Sequence, residues 1–345
     1  MSKEFTALLE KLSIQENLLP EEATFAMKSI LNGNASDAEV AAFLMGMRTK
    51  GETVVELTAF VEVMREASIV VEVDTKGAVD LCGTGGDKSG TFNISTAAMF
   101  VVAGAGVPVL KHGNRSVSSK SGSYDVLEEL GAVPNLNKVQ SEKMFNETGM
   151  VFMFAPNFHP AMKYVMPARR AMKLRTFFNM LGPLLNPADV ENQVIGAFSH
   201  EAAGMMAQIL ANLDTKRAYT LNAHDGLDEV TLTGQSEIFE LQSHLSNGSV
   251  TFDPKSLGYE WVEPEELLGG DAEKNAGIIK NIMKGESTDA QRNIVTLNAA
   301  FAIHAAGATD TLEEANRKAV KSVETGEALR KLNQFIKESQ KVSKA

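Results

Sequence analysis

The sequence predicts an α/β protein that consists of a small all-α domain and a large α/β domain with a mainly parallel central sheet flanked by helices. Three observations indicate this fold. The first seventy residues show helical periodicity only, residues 79–221 alternate short apolar runs with helical patterns, and the tail from about Asp271 is again helical. Short apolar strands that alternate with helices pack as a parallel sheet covered on both faces.

Start signals define the helices of the N-terminal segment. Pro20 stands where a helix can begin, because its missing N–H is not needed at the first helical position. Ser36 with Glu39, and Thr53 with Glu56, have the spacing of capping boxes. Apolar residues follow each signal at helical spacing, and no stretch before residue 72 alternates like a strand.

The middle of the chain supplies the sheet. Strand-like runs lie at 79–82, 107–110, 151–154, 194–198 and 218–221, and helical patterns lie near 95–105, 123–131, 138–148 and 200–213. The segment 159–187 interrupts this alternation, since it is rich in Met, Arg and Phe and reads as helical. Ligands of such sheets bind beyond the carboxyl ends of the strands, so the loops that follow the strands are where function is expected.

Composition excludes several function classes. The 345 residues carry a net charge of −11, whereas nucleic-acid-binding domains carry a basic field. Cys82 is the only cysteine, so an internal disulfide cannot form, and the N-terminus has no signal-peptide pattern. The longest apolar run, 97–110, is broken by glycine and proline and is too short to span a bilayer. We therefore expect a cytoplasmic protein without nucleic-acid or membrane partners.

A glycine-rich loop follows the first predicted strand. Residues 83–90 contain four glycines and lead into the helix that opens near Asn93. Backbone N–H groups of such a loop, together with the N-terminus of a helix, form an anion site. The loop is neither a P-loop, because Asp87 stands where glycine precedes the lysine, nor a dinucleotide fingerprint, because Lys88 occupies the position of the last glycine.

A basic, hydroxyl-rich loop follows the next strand at 111–123. A lone loop of this kind is usually a solvated surface segment. Two such loops after successive strands favour a second phosphate site in the neighbouring βα unit.

Carboxylates follow the strand that ends at Leu221. Asp228 and Glu229 are suited to Mg²⁺, which takes one or two protein carboxylates and completes its shell with water and phosphate oxygens. An ordinary acidic turn is the alternative, and only the two phosphate loops make a metal–diphosphate site the favoured hypothesis.

Arginines and histidines are less specific. Arg169, Arg170 and Arg175 can bind a carboxylate in planar bidentate fashion, or they can simply be helix-surface charges. The histidines show no metal-ligand spacing, so a structural or minor binding role is expected for His112, His159 and His224.

In this order, the motifs resemble those of the anthranilate phosphoribosyltransferase family. The matching segments are 83–87, 93–96, 111–115, 121–123, 159–162, 175–179, 181–184, 193–196, 225–229 and 269–273. The resemblance implies transfer of the phosphoribosyl group from phosphoribosyl diphosphate (PRPP) to the amine of anthranilate, which gives N-(5-phosphoribosyl)anthranilate and pyrophosphate. This is the second step of tryptophan biosynthesis from chorismate.

The resemblance also implies an organisation in domains. Residues 1–72 and an insertion at about 165–190 would form the small α-helical domain, through which two chains make a homodimer. Residues 73–345, except the insertion, would form the α/β domain that binds PRPP.

The resemblance assigns roles to individual residues, none of them an acid or base. It implies Mg²⁺ binding by Ser95, Asp228 and Glu229, and positioning of the reactants by Asn114 and Arg169. It implies anthranilate contacts from Gly83, Asn114, His159, Arg169, Gly182 and Pro183. PRPP would bind Gly83, Gly86, Asp87, Thr91, Asn93, Ile94, Ser95, Thr96, Lys111, His112, Gly113, Asn114, Arg115, Ser116, Val117, Ser118, Ser119 and Ser123.

Some positions depart from the family pattern, among them Tyr124, Ala168 and Lys173, and they leave the shape of the anthranilate channel open. Two alternatives come from other classes. A pyrimidine nucleoside phosphorylase has a similar fold but needs a phosphate nucleophile, and a nucleic-acid-binding paralogue needs a basic groove. The pair Asp228 and Glu229 and the acidic net charge favour the diphosphate substrate.

Overall fold

The fold is that of a computed structural model that describes residues 3–87, 89–115, 120–213 and 215–344. Four predicted PRPP ligands lie outside the described residues: Ser116, Val117, Ser118 and Ser119.

A seven-stranded sheet forms the centre of the large domain, with the order β3-β2-β1-β4-β5-β6-β7. Its strands are β1 (Val79–Gly83), β2 (Val109–Gly113), β3 (Met150–Phe154), β4 (Asn192–Gly196), β5 (Arg217–Ala223), β6 (Ser236–Gln242) and β7 (Leu245–Phe252). The first five strands are mutually parallel, and β6 and β7 add an antiparallel hairpin at one edge. The carboxyl ends of β1, β2 and β4 therefore meet at one edge of the sheet.

Helices cover the sheet and form the N-terminal bundle. They are α1 (Lys3–Ser13), α2 (Pro20–Leu31), α3 (Asp37–Lys50), α4 (Val54–Glu66), α5 (Ile94–Gly104), α6 (Ser123–Glu129), α7 (Lys138–Thr148), α8 (Ala155–Phe158), α9 (Met166–Met172), α10 (Phe178–Leu181), α11 (His200–Ala211), α12 (Ala272–Lys284), α13 (Asp289–Ala305), α14 (Leu312–Glu324) and α15 (Glu327–Val342). Short 3₁₀ turns cover Pro160–Tyr164, Gly182–Leu184, Pro254–Leu257 and Pro264–Leu267. No helix among the described residues is both long and apolar enough for a bilayer.

The predicted fold class is confirmed, with local corrections. The second strand begins at Val109 rather than at Val107, because the Val107 N–H still bonds the Val102 carbonyl at the end of α5 (3.2 Å). The fourth strand covers Asn192–Gly196 instead of 194–198, and it stops where the chain around Asp228 lies against Gly196. The hairpin of β6 and β7 was not predicted.

One apolar cluster joins the N-terminal bundle to the segment after α8. Phe177 lies between the rings of Phe43 and Phe60, with centroid distances of 6.3 and 4.8 Å. Residues between 165 and 185 belong to the same cluster as α1–α4, and α11 continues this cluster onto the sheet. This packing supports the predicted insertion at about 165–190, whose boundaries remain our proposal.

The opposite face of the sheet is covered by the C-terminal helices. Helix α5 is almost entirely apolar and buried, because it lies against the sheet on one side and against α13 and α15 on the other. Phe100 of α5 meets Phe335 of α15 edge to face, with a centroid distance of 5.6 Å. The C-terminal tail thereby fixes the helix whose N-terminus opens beside the glycine loop.

Candidate functional site

The ends of β1 and β4 carry glycines because another chain segment passes over them. Gly83 and Gly196 are paired across the two strands. A Cβ on Gly83 would lie 2.4 Å from Asp228 Oδ2, and a Cβ on Gly196 would lie 1.5 Å from the Asp228 carbonyl oxygen. The acidic segment that follows β5 is therefore seated directly on the carboxyl ends of the two central strands.

The glycine loop turns back on itself and binds this acidic segment. Gly85 and Gly86 have φ values of 69° and 75°, a region that glycine adopts without steric cost. The Gly85 N–H donates to Asp228 Oδ2 at 2.6 Å. Burial raises the pKa of Asp228 well above its usual range, and the nearby carboxylates of Asp87 and Glu229 raise it further.

Glu229 occupies the N-terminus of α5. The Ser95 N–H donates to Glu229 Oε1 at 3.1 Å, where the helix leaves unpaired donors. Burial raises the pKa of Glu229 to about 7, although the nearby Lys111 ammonium opposes this rise. The predicted metal-binding residues Ser95, Asp228 and Glu229 are thus brought to one place.

The donor chemistry of this place fits a hard cation. Asp87 and Glu229 lie close enough to Asp228 for their negative charges to disfavour its ionisation. A divalent cation would relieve that repulsion. Among the described residues, no three Asp, Glu, His or Cys side chains converge as a ready-made metal cage.

The end of β2 is held by a buried polar network that the sequence analysis missed. The Lys111 ammonium is buried and donates to the Leu81 carbonyl, and the His112 N–H donates to Asp80 Oδ1 at 3.1 Å. Asn186 Nδ2 donates to Asp80 Oδ2 at 2.9 Å. Burial raises the pKa of Asp80 to about 6, and Lys111 opposes the rise. The sequence signal that could have revealed this network was Asp80, a lone carboxylate in the otherwise apolar strand β1.

Asn93 links the glycine loop to the basic loop. Its Nδ2 donates to the Ser121 carbonyl at 3.1 Å, and its Oδ1 accepts from Asn275 Nδ2 at 3.0 Å. Asn275 is a second residue that the sequence analysis missed, because its position opposite Asn93 is visible only in three dimensions. Thr91 forms a β-bridge with Leu268, so the loop also rests on the segment before α12.

Other predicted PRPP ligands surround these loops. Ile94 and Thr96 are buried in the first turn of α5, so only their backbone can face a ligand. Asn114 is exposed at the start of the basic loop. Arg115 Nη1 forms an ion pair with Asp125 Oδ1 at 2.7 Å. Gly113 lies against the ring of Phe152, and Ser123 is the first residue of α6.

Two histidines lie beside the basic loop. The rings of His112 and His159 meet edge to face with centroids 5.3 Å apart, and His159 Nε2 donates to the Leu185 carbonyl at 3.0 Å. Burial lowers the pKa of His112 to about 3 and that of His159 to about 4. Both imidazoles are therefore neutral at neutral pH. Gly182 and Pro183 form the 3₁₀ turn before Leu185.

The arginines of the inserted segment have different environments. Arg169 of α9 is half-buried over the Phe178 ring (5.3 Å), and burial lowers its pKa. Arg170 is exposed, as the helix-surface alternative predicts. Arg175 donates to the Gly86 carbonyl, so this arginine and not Arg169 contacts the glycine loop within the described chain.

Comparison with known proteins identifies the family. The α/β-domain model of a glycosyl transferase family matches residues 75–329, and the helical-bundle model of that family matches residues 6–68. The anthranilate phosphoribosyltransferase of Alkaliphilus metalliredigens is 46% identical over 97% of this chain and 98% of that protein. The chain belongs to the anthranilate phosphoribosyltransferase family. It is accordingly a pentosyl-transferring enzyme that resembles its relatives over nearly its whole length.

Solved structures agree with this assignment. The crystal structure of the Thermus thermophilus anthranilate phosphoribosyltransferase superposes with a TM-score of 0.91 at 35% identity, covering 96% of this chain and 99% of that one. The Saccharomyces cerevisiae enzyme in complex with PRPP and Mg superposes with a TM-score of 0.90 at 25% identity, covering 99% of both chains. The helical bundle and the mainly parallel sheet are thus features of the family.

Proposed function

We propose that the family's reaction, transfer of the phosphoribosyl group from PRPP to the amine of anthranilate, takes place where β1, β2 and β4 end. The observation that carries this proposal is the contact between the glycine loop and Asp228. It places backbone N–H donors beside buried carboxylates, which is the combination that a diphosphate with a divalent cation requires.

The two loops would hold PRPP from both sides. Gly83, Gly86, Asp87 and the first turn of α5 would face the diphosphate, because the glycine loop and a helix N-terminus offer backbone N–H groups there. The basic loop that begins at Lys111 would face the other phosphate. Its residues 116–119 enter this proposal from the sequence resemblance alone.

Mg²⁺ would be held by Ser95, Asp228 and Glu229. In support, the related yeast enzyme has been solved with PRPP and Mg, and the carboxylates of Asp87 and Glu229 raise the pKa of Asp228, a repulsion that a divalent cation would relieve. When bound, Mg²⁺ neutralises negative charge on the diphosphate and on the departing pyrophosphate.

Anthranilate would bind between the basic loop and the inserted segment. Arg169 would hold its carboxylate, and Asn114 would orient the ring and the amine beside Gly83. His159 and the turn at Gly182 and Pro183 would line the approach, since the neutral imidazole presents an apolar face without a competing charge.

The residues position the reactants rather than exchange protons with them. The amine nitrogen of anthranilate forms a bond to ribose C1, the C1–oxygen bond breaks, and pyrophosphate leaves with the electron pair. The substituted amine then releases one proton to solvent. An aromatic amine is neutral at neutral pH and needs no base before attack, so orientation and electrostatic stabilisation are the contributions expected of this chain.

An activity assay tests the proposal. Purified protein with PRPP, Mg²⁺ and anthranilate should consume anthranilate, seen as loss of its fluorescence, and release an equal amount of pyrophosphate. Inorganic phosphate with a pyrimidine nucleoside is the comparison reaction. Cleavage of the nucleoside without consumption of anthranilate would favour the phosphorylase alternative and overturn the proposal.

We further propose that the chain acts as a cytoplasmic homodimer formed through the helical bundle, as the family resemblance implies. The acidic net charge of −11 supports the absence of nucleic acid among its partners.

A further inference from the structure

The motif at 175–179 is anchored in the helical bundle. The Arg175 carbonyl accepts a hydrogen bond from Arg48 of α3, and Phe177 is buried against Phe43 and Phe60. The Thr176 N–H donates to Asn179 Oδ1 at 3.1 Å. The backbone of this motif is therefore attached to the helical bundle.

The side chain of Arg175 reaches the large domain. Its Nη2 donates to the carbonyl of Gly86, and its guanidinium lies 5.0 Å from the ring centroid of Phe198, which follows β4. A Cβ on Gly86 would lie only 3.2 Å from Arg175 Nη2. Glycine at this position thus allows the close approach of the guanidinium.

The glycine loop is consequently held from two directions. The Gly85 N–H is fixed by Asp228, while the carbonyl of the next residue, Gly86, is fixed by Arg175. These two contacts set the orientation of the peptide groups around Asp87, on the part of the loop where the diphosphate is proposed to bind. A hydrogen bond to a charged donor is stronger than one between neutral groups.

We propose that Arg175 is a positioning residue for the PRPP site, which couples the helical bundle to the glycine loop through the Gly86 carbonyl. This inference rests on the proposed function. With the contact in place, the loop is preorganised and binding does not have to order it. Without the contact, part of the binding free energy is spent on ordering the loop, so affinity for PRPP falls while the anthranilate contacts are unchanged.

Calorimetry with PRPP and Mg²⁺, together with steady-state kinetics, tests this role. Arg175→Ala should raise the Kd for PRPP by about tenfold, the loss typical of one charge-assisted hydrogen bond, and should leave the KM for anthranilate within about twofold. Arg175→Lys should restore part of the affinity, because it keeps a charged donor without the planar fork. Arg170→Ala, a change on the exposed face of α9, is the matched control and should bind PRPP like the wild type.

A double-mutant cycle tests the route of coupling. Arg48→Ala removes the bond to the Arg175 carbonyl but leaves the guanidinium present, so it should weaken PRPP binding less than Arg175→Ala does. In the Arg175→Ala background it should have no further effect. Thermal unfolding of each variant confirms that the fold is retained.

The outcomes separate the two proposals. If the wild type binds no PRPP, the proposed function and this inference both fail. If the wild type binds PRPP but Arg175→Ala binds it equally well, or if both KM values rise together, only the role of Arg175 is overturned. Additive effects of Arg48→Ala and Arg175→Ala would overturn the coupling through the bundle.

Discussion

At the scale of single residues, the site is a compromise between stability and function. Asp228 is buried beside the carboxyl groups of Asp87 and Glu229, and the hydrogen bond from the Gly85 N–H does not offset the effect of burial and of these two neighbours on its pKa. Because the pKa of Asp228 is raised in the folded state, its ionised carboxylate destabilises the fold. The protein is more stable while Asp228 is protonated, and this extra stability is lost as the pH rises through the folded-state pKa. A divalent cation bound there, as proposed, would remove this cost.

Asp228→Asn should therefore separate the two effects. The amide can still accept the Gly85 N–H but carries no charge, so the metal-free variant should unfold at a temperature at least as high as the wild type. Turnover should fall by about tenfold or more, because the proposed metal ligand is lost. Thermal unfolding without metal and turnover across a range of Mg²⁺ concentrations measure the two quantities. Unchanged turnover at every Mg²⁺ concentration would contradict the assigned role.

Arg169→Ala should discriminate between the substrates. If the guanidinium holds the anthranilate carboxylate, its loss should raise the KM for anthranilate by about 10- to 100-fold and change the KM for PRPP much less. Steady-state kinetics with each substrate varied in turn give both values, and the exposed Arg170→Ala is the control. An equal rise of both KM values would remove Arg169 from the anthranilate site.

The sequence placed three proposed metal ligands near one another, but it did not predict the residues that support them. Asp228, Glu229 and Ser95 meet because parallel strands end at one edge, a rule that applies to any such sheet. Asn186 and Asn275 escaped prediction, since each bonds a residue that is distant in the chain and neither belongs to a recognisable pattern. The contact of Arg175 with the glycine loop was equally invisible.

At the scale of elements, the close packing of strand ends and loops leaves no space for larger side chains. Gly196→Ala should displace the acidic segment, because the new Cβ would overlap the Asp228 carbonyl. We expect a destabilisation of about 1–3 kcal/mol and a loss of Mg²⁺-dependent turnover. Gly277→Ala in α12 meets no atom within 4 Å and should instead stabilise the protein by about 0.5–1 kcal/mol. Denaturant unfolding of both variants measures this, and equal effects would contradict the steric explanation.

His159, in the segment after α8 that contacts β2, should by itself destabilise the fold as the pH falls, whereas Asp80 and Glu229, whose pKa values are raised, act in the opposite sense. The pKa of His159 is lowered to about 4, so its contribution to stability is present above its ordinary pKa and is lost as the pH falls towards the folded pKa. Between about pH 6.5 and pH 5 this single group should cost about 2 kcal/mol of unfolding free energy. His159→Gln keeps a donor for the Leu185 carbonyl and should show a smaller loss.

Denaturant unfolding of the wild type and His159→Gln at both pH values measures this difference. Parallel pH profiles of the two proteins would show that the imidazole at position 159 does not titrate as the structure indicates.

The strands were predicted where the sequence has apolar runs. The hairpin of β6 and β7 was missed, because apolar and polar residues alternate there. The five parallel strands are largely buried, and each contains a short, mainly apolar run that the sequence shows. β6 and β7 lie at the edge with one polar face, and their turn at Ser243 and His244 adopts positive φ values of 50° and 68° without a glycine. Glycine and asparagine are the usual signals of such turns, and neither stands at positions 243 and 244, so the turn itself gave no signal.

At the scale of the whole molecule, the net charge constrains how an anionic substrate can bind. The chain has a net charge of −11, and PRPP, the substrate proposed for it, is also strongly anionic. Binding would therefore depend on local cations and backbone donors at the strand ends rather than on long-range attraction. The helical bundle also matters for the site, because the segment packed on it places Arg169 and Arg175 at the edge of the sheet. The bundle must therefore keep its position for these arginines to keep theirs.

The homodimer proposed for the family provides the last prediction. Met45 of α3 and Val55 of α4 are 44% and 52% exposed although both are apolar, and each lies in the bundle through which the resemblance implies pairing. The wild type should elute with twice its mass of 37.2 kDa. Replacing both residues by Glu places charge in an apolar interface, so the variant should elute as a monomer.

Val250→Glu, at a residue 70% exposed on β7, is the control and should stay dimeric. Light scattering after gel filtration measures the masses; a monomeric wild type, or dissociation by Val250→Glu instead, would place the interface elsewhere.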